Sequence, residues 1–586
     1  MLKSISKSSF RAAFLLFLLS HTHPLFSQSG SHDAGSIHGN FQIDAQYYKA
    51  DSLIGAPKVP EKVLSNAFGT INYSKGKFSA GLRYEAYNGV MQGFDTRYKG
   101  QGITNRFVTY QDNLLNITVG NIYEQFGSGL LFRTYYEPGL LYDNSLDGAR
   151  VISNPYKGLT LKGVIGKQRS FFTVGPGIVR GLDGEININD MFDTLTKHLK
   201  TRITFGGSFV SKFQADQDPN FNLPQNVGSY SGRVNLTRGG FTFFAEYAQK
   251  ENDPSAANKT TVNNQTYYSY KQGEALFVST SYATNGFSLL FQAKRIDNMS
   301  YRSDRDATLQ NLLINFLPAT TRQHTYLMPA YSPYATQPNG EVGGMLELQY
   351  KFKKGSALGG KYGTDLTINY SHASGIKQIG VKDSATTMKL YRTNYLEMRK
   401  YKQTIIGDFE FINFGTSKNY YHDFFIEITK KVNKQWKGNF MYCNQFYNKN
   451  IVQFGSPFAG YKNIVSNIFV LDITYKYKSN SAIRFEAQEL IRDNKDTLNL
   501  GSWTSAMIEW TPNTHYFVAV LDQYNYGNPV KDLKLHYFLV TAGYSSGPHR
   551  ISFSYGKQRA GIFCVGGVCR NVPASNGLAI SITSSF

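Results

Sequence analysis

The clearest chemical pairing in the chain is that of Cys564 and Cys569, which enclose Val-Gly-Gly-Val. A glycine-centred turn at that spacing brings the two sulfurs together, so the pair reads as a disulfide pinning a loop tip. A metal centre needs more thiolate or imidazole ligands than this stretch supplies. Cys443, inside Phe440-Met-Tyr-Cys-Asn-Gln, reads as a buried strand residue. The 11 histidines are scattered, and His32, Asp33 and His38 read as a solvated tail entering a strand. Asp493-Asn-Lys-Asp496 lacks the spacing of a calcium loop and reads as a polar loop tip. No H-E-x-x-H, Walker loop or C-x-x-C pair occurs, and no nucleophile elbow is read in the chain. No catalytic residue, metal ligand or cofactor site is therefore expected, and the protein reads as non-enzymatic.

A second group matters for where it must hide. Leu130, Leu131, Phe132, Arg133, Tyr135, Tyr136 and Glu137 lie in 126–144, a stretch rich in Gly, Leu and Tyr and poor in charge. Leu140, Leu141 and Tyr142 continue it. A connection of that composition must be covered, either within the protein or by a partner. Segment 297–340 makes the same demand, and within it 307–316 reads as a short helix ahead of a Pro-punctuated run.

The elements that position these residues are strands. The 586 residues are 15% aromatic, with 41 Tyr and 42 Phe, and only 18% charged against about 25% in an average protein. That excludes disorder and coiled coil. A mean hydropathy of -0.35, with no apolar run of about 18 residues, excludes a multi-span helical membrane protein. Period-two alternation runs through the chain instead. Phe78, Ala80, Leu82, Tyr84 and Ala86 alternate with Ser79, Gly81, Arg83 and Glu85. Ile203, Phe205 and Phe209, then Phe241, Phe243 and Tyr247, and finally Ile551, Phe553 and Tyr555 repeat the pattern against polar neighbours, Arg202 and Glu246 among them. Many such segments exceed the usual strand of about 5–6 residues and match the length needed to cross an outer membrane.

Turn chemistry supplies the orientation. Tight joints at Ser74-Lys75-Gly76, Asp112-Asn113, Arg238-Gly239-Gly240, Thr284-Asn285, Ser479-Asn480, Pro512-Asn513 and Ser546-Gly547-Pro548 alternate with long connections near 49–65, 88–101, 251–270, 297–340, 374–419 and 448–464. Short turns on one side and long loops on the other describe an all-β transmembrane antiparallel barrel, with periplasmic turns and extracellular loops. About 24 strands are expected, the first near 36–48 and the last ending at Phe586. Segment 403–414 looks extended, but as a wall strand it breaks the even count, so it is assigned to a loop hairpin.

Export precedes all this. Lys3, Lys7 and Arg11 ahead of the apolar stretch 12–19 and the small-residue exit at Ser27 read as a signal peptide, residues 1–27. The remaining 28–586 reads as a single barrel domain. The formal charge of +21 then points to lipid headgroups or an anionic solute, and nucleic acid is not an expected partner.

The alternating end Leu578-Ala-Ile-Ser-Ile-Thr-Ser-Ser-Phe586 resembles the C-terminal signature by which the outer-membrane insertion machinery recognises barrels, which makes Phe586 the insertion signal. Gly127-Ser-Gly-Leu-Leu-Phe-Arg-Thr-Tyr-Tyr-Glu-Pro-Gly139, Tyr142-Asp-Asn-Ser-Leu-Asp-Gly148, Gln323-His-Thr-Tyr326, Tyr334-Ala-Thr-Gln-Pro-Asn-Gly-Glu341 and Gly566-Gly-Val-Cys-Arg-Asn-Val-Pro573 together resemble an uncharacterised family of large Bacteroidota outer-membrane barrels. That resemblance implies location and leaves activity open. TonB-dependent transporters resemble one another in a substantial N-terminal plug, and the first strand here starts too early to leave room for one. The stopper expected instead is 126–144 packed against the wall and 297–340. The resulting expectation is a pore or translocation conduit occluded by its own loops. The alternative is a barrel docking surface lipoproteins or secretion components.

Overall fold

The computed structural model describes residues 35–376 and 419–586, apart from 220, 222, 263–264, 269–271, 456–458, 493–500 and 566–567. The signal segment, His32, Asp33, 403–414 and Asp493 to Asp496 lie outside the described residues. One 24-stranded antiparallel sheet closes on itself. Its first strands are β1 (Ser36–Tyr48), β2 (Val63–Lys75), β3 (Phe78–Asn88), β4 (Gly100–Gln111), β5 (Leu115–Ile122) and β6 (Leu146–Tyr156). Next come β7 (Leu159–Ser170), β8 (Thr173–Asn187), β9 (Arg202–Phe213), β10 (Asn226–Arg238), β11 (Phe241–Lys250) and β12 (Gly273–Thr284). The wall continues through β13 (Phe287–Asp297), β14 (Glu341–Phe352), β15 (Thr364–Ser374), β16 (Asn419–Lys431), β17 (Trp436–Tyr447) and β18 (Ile464–Lys478). It ends with β19 (Ser481–Arg492), β20 (Trp503–Thr511), β21 (Tyr516–Tyr524), β22 (His536–Ser546), β23 (His549–Gln558) and β24 (Ser575–Ser585).

Each strand pairs with its chain neighbours, and β1 pairs with β24 from Asn40↔Ser585 to Tyr48↔Gly577. Closure leaves no open edge, the condition for a sheet to cross a membrane. Phe586 extends the seam, exchanging backbone hydrogen bonds of 2.9 Å with Gly39 in both directions, and its ring occupies the space a Cβ on Gly39 would need.

The alternation read in the sequence sorts the two faces. Leu82, Phe205, Phe209, Phe291, Phe485 and Phe553 are exposed on the outside, while Arg83, Glu85, Glu246 and Asn369 are buried on the inside. The outward apolar belt is the lipid-facing surface of a transmembrane barrel. Near the ends joined by short turns the belt becomes aromatic. Trp436 stacks on Tyr475 at 4.5 Å, Trp510 Nε1 donates to Tyr477 Oη at 3.1 Å, and Tyr516 packs on Tyr544. Such girdles sit at headgroup level.

The tight joints expected from the sequence all lie on that one rim. Gly76 and Gly547 adopt φ of +56° and +55° with no atom near a would-be Cβ, so backbone conformation and not space demands glycine there. The rims are less uniform than the sequence suggests. The turn rim carries a long connection at 188–201, built from two four-residue helical turns, the first capped by Asn187. The loop rim has one two-residue turn, Phe171-Phe172, between β7 and β8.

Candidate functional site: loops inside the barrel

The loop between β5 and β6 turns inward. Phe126, Leu130, Leu131 and Phe132 are fully buried and share one apolar cluster with inward residues of the wall, Val164, Val179, Val210 and Val227. Met299, Tyr301 and Ile314, from the loop between β13 and β14, complete it. The two loops are joined by main-chain bonds: Arg133 N–H donates to Ile314 O and Phe316 N–H to Gly129 O, both at 2.9 Å. Asn315 Nδ2 donates to Leu130 O at 3.1 Å, and Asn144 Nδ2 to Leu313 O at 2.9 Å. These residues therefore meet inside the lumen.

The helix expected over 307–316 does not form. Leu309 and Leu312 sit at positive φ, and the backbone instead makes a hairpin-like pair, Ser303 N–H to Leu312 O and Ile314 N–H to Tyr301 O. Arg133 and Glu137 leave the wall charges to others. The Arg133 guanidinium lies over the rings of Tyr135 and Phe316, and Glu137 caps the Gly139 N–H at 3.2 Å.

Cations near the loop-rim ends of strands receive the loops. Arg169 on β7 donates to Asp143 Oδ2 at 2.8 Å and to Glu85 Oε2 at 2.6 Å. Arg83 on β3 bridges the same two carboxylates and stacks on Tyr136 at 3.8 Å. This clamp fixes the short hairpin Tyr136–Glu137 with Tyr142–Asp143. Burial opposes the charge on Asp143, but Arg169 and Arg83 outweigh it and hold its carboxyl below the usual aspartate value. Burial pushes the Tyr136 phenol up to about 12. Further round, Lys212 meets Asp253 at 2.6 Å, and Lys294 meets Glu341 at 2.8 Å. At Glu246 the loop supplies donors: Ser128 N–H and Oγ both reach its carboxylate at 2.7 Å. Gly127 lies so close to that carboxylate that a Cβ would stand 2.6 Å from it.

The longer loop then crosses the lumen. On one arc Tyr301 Oη donates to Val227 O of β10 at 2.8 Å. On the near-opposite arc Tyr326 Oη donates to Asp472 of β18 at 3.2 Å, and Met328 N–H to Gln488 of β19 at 2.8 Å. Tyr331 Oη reaches Gln523 of β21 at 2.5 Å. A second apolar cluster surrounds these contacts, with Met328, Phe425, Met441, Cys443, Trp503 and Tyr537. Cys443 is a buried strand residue, as read. Elsewhere the inward charges pair along the wall: Arg233 on β10 reaches Asp183 and Glu185 of β8 across β9. Its guanidinium lies flat over Gly206, where a Cβ would stand 2.5 Å away.

Cys564 and Cys569 stand opposite each other in the backbone register of the hairpin Gly561–Val565 with Val568–Val572. The spacing G-x-S-x-G, missed in the sequence reading, occurs once as Gly543-Tyr-Ser-Ser-Gly547. It is the end of β22 running into a strand-to-strand turn, without the strand-to-helix bend of a nucleophile elbow. Sequence reasoning also passed over Arg169, Asp143, Lys212 and Lys250, whose Nζ donates to Ser300 O of the longer loop at 2.7 Å. The available signal was an inward-facing base near the loop-rim end of successive strands.

Fold and interior together define a closed outer-membrane-type barrel filled by its own connections. The chain belongs to the family of unknown function DUF6029, which matches residues 7–586. No curated protein matches it. Among solved structures it is similar to the P pilus usher (PapC) translocation pore, at 10% identity and TM-score 0.41, over 94% of this chain and 99% of that one. It is also similar to the siderophore receptor PirA from Pseudomonas aeruginosa, at 11% identity and TM-score 0.39, over 95% of this chain and 81% of that one. OccD1 (OprD) is similar at 10% identity and TM-score 0.34, over 73% of this chain and 93% of that one. These likenesses concern barrel architecture alone.

Proposed function

We propose that this protein is a non-enzymatic outer-membrane pore or translocation conduit held shut by its own loops. The observation carrying the reading is the packing of 126–144 and 298–340 onto inward wall residues from β3 to β21. Barrels of 16–18 strands already leave an aqueous channel, so an unfilled 24-strand lumen would make the envelope leaky. Both loops are held by apolar clusters and polar contacts that are separate from the strand-to-strand ladder, so they can move while the wall keeps its own hydrogen bonds. In this reading the protein is one of a Bacteroidota family, exported through residues 1–27. Its partners are outer-membrane lipids and the insertion machinery that reads Phe586. Planar-bilayer recording tests it: wild type is closed or flickers, and a variant with 127–139 replaced by a Gly/Ser linker conducts steadily. If the variant inserts and stays closed, the barrel is a scaffold that docks surface lipoproteins or secretion components.

A further inference from the structure

Where the crossing loop meets β16 and β17, three unlike donors converge. His324 Nε2 contacts Asp423 Oδ2, and Cys443 Sγ lies 3.6 Å from Asp423 Oδ1. One ligand atom from each of the three side chains lies within 4.8 Å of the others. All three side chains are buried, at 6% exposure for His324 and 0% for Asp423, with Cys443 also at 0%. The register Phe425↔Cys443 and Asp423↔Gln445 puts Asp423 and Cys443 diagonally on neighbouring strands of the inner face, and His324 comes down on them from the loop.

The carboxylates at Glu85, Asp143, Asp183, Asp253 and Glu341 are each met by an arginine or lysine. Asp423 is met by an imidazole and a thiol. Its remaining partners are those of a supported ligand: Tyr421 Oη donates to it at 2.8 Å and Gln445 Nε2 at 3.1 Å. Gln445, itself 1% exposed, leaves its carbonyl oxygen Oε1 buried without a hydrogen-bond partner. A buried acceptor beside an imidazole, a carboxylate and a thiol calls for a cation.

We propose that His324, Asp423 and Cys443 form a binding site for a divalent transition metal of the zinc class, which staples the crossing loop to the wall. Imidazole, carboxylate and thiolate are the borderline and soft donors that zinc accepts, with ligand bonds of about 2.0–2.3 Å. Such bonds place tetrahedral ligands about 3.3–3.7 Å apart, so His324 Nε2 gives up its direct contact with Asp423 Oδ2 and shifts to admit the ion between them. His324 makes that movement, because it rides on a loop while the other two are fixed in the sheet. Binding displaces the thiol proton of Cys443 and uses the lone pair of His324 Nε2, so affinity rises with pH. Gln445 Oε1 or a water takes the fourth position, and Tyr421 orients the carboxylate from behind. The site does not depend on the pore reading, since a scaffold barrel gains the same staple.

The test uses full-length, untagged barrel in detergent carrying C564S and C569S, so that Cys443 is the one thiol left. Each variant is first checked for heat-modifiable migration as proof of folding. After metal stripping, Co2+ titration of this parent is expected to give visible d–d bands and a near-ultraviolet thiolate-to-cobalt band. Both saturate at one ion per chain and are reversed by Zn2+. C443S should lose the thiolate band. H324Q, which leaves the wall untouched, should weaken Co2+ binding at least about 10-fold, the lower end of what losing even an outer-shell partner costs. Absence of a thiolate band in the folded parent overturns the proposal. So does a band that survives C443S, or an affinity unmoved by H324Q.

Discussion

Asp143 is the residue on which the shorter loop turns. Its two arginines are buried with it, and removing one partner of such a set costs about 3–5 kcal/mol because the other charges stay behind. Asp143→Asn is therefore expected to free the loop without unfolding the wall, giving frequent openings in single-channel records where wild type shows few. The pH dependence has a definite sign. The folded carboxyl titrates below its ordinary value, so the clamp is complete above the unfolded aspartate value of about 3.9. It is lost only as pH falls through the lower folded value. Wild type should stay closed from pH 8 to pH 5 and open in stronger acid, and Asp143→Asn should lack that acid step. Gly127→Ala should act in the same direction, since the new Cβ collides with the Glu246 carboxylate at a left-handed φ of +51°. Arg83 and Glu85 were legible in the sequence because parity alone put them inside. Arg169 was not, since its partners lie 84 and 26 residues away in sequence and local spacing carries no trace of such a meeting.

At the scale of elements, strands were legible and loop interiors only in part. A strand announces itself through a period that its own residues carry, whereas 303–314 is shaped by what surrounds it. The residues 307–316 have helical spacing, yet Ser303, Tyr301 and the neighbouring loop offer hydrogen bonds that a helix would forfeit, and tertiary context overrides propensity. The apolar run 130–132 was readable as covered because no exposed loop tolerates it. Replacing 127–139 by a Gly/Ser linker removes Leu130, Leu131 and Phe132, each worth roughly 1.5–3 kcal/mol of burial. Expected are normal surface levels, higher conductance and greater sensitivity to large antibiotics, measured side by side in cells. The cysteine hairpin gives another prediction at this scale. Directly opposed residues on paired strands have Cα atoms about 4.5–5.5 Å apart, within the range a disulfide spans. Intact cells should label Cys564 and Cys569 only after mild reduction, and labelling without reduction shows the bridge is absent. The small ring makes its stabilisation modest, below the roughly 3 kcal/mol of a 15-residue loop.

Across the whole molecule, strand number and closure followed from parity and turn spacing, because a barrel must return its last strand to its first. What parity could not reveal is that the wall is braced from within. The 318–338 stretch is bonded to β17, β18, β19 and β21, while 300–316 is bonded to β10 and β11 on the far side. A wide barrel flattens easily unless something inside it resists, since each strand-to-strand joint is a hinge. A tie from β10 to β21, eleven strands apart on a ring of 24, resists that flattening across the diameter. The shorter loop reaches only from β3 to β11, eight strands apart. The two loops should therefore separate in their effects. Deleting 318–338 behind a short linker is expected to open the lumen and also to lower the temperature at which the folded band converts to the unfolded one in heat-modifiable electrophoresis. Replacing 127–139 should open it with a smaller drop. Circular dichroism of both variants stays strand-dominated, because the wall satisfies its own backbone. Equal thermal shifts for the two variants would show that the crossing loop is packing alone and not a brace.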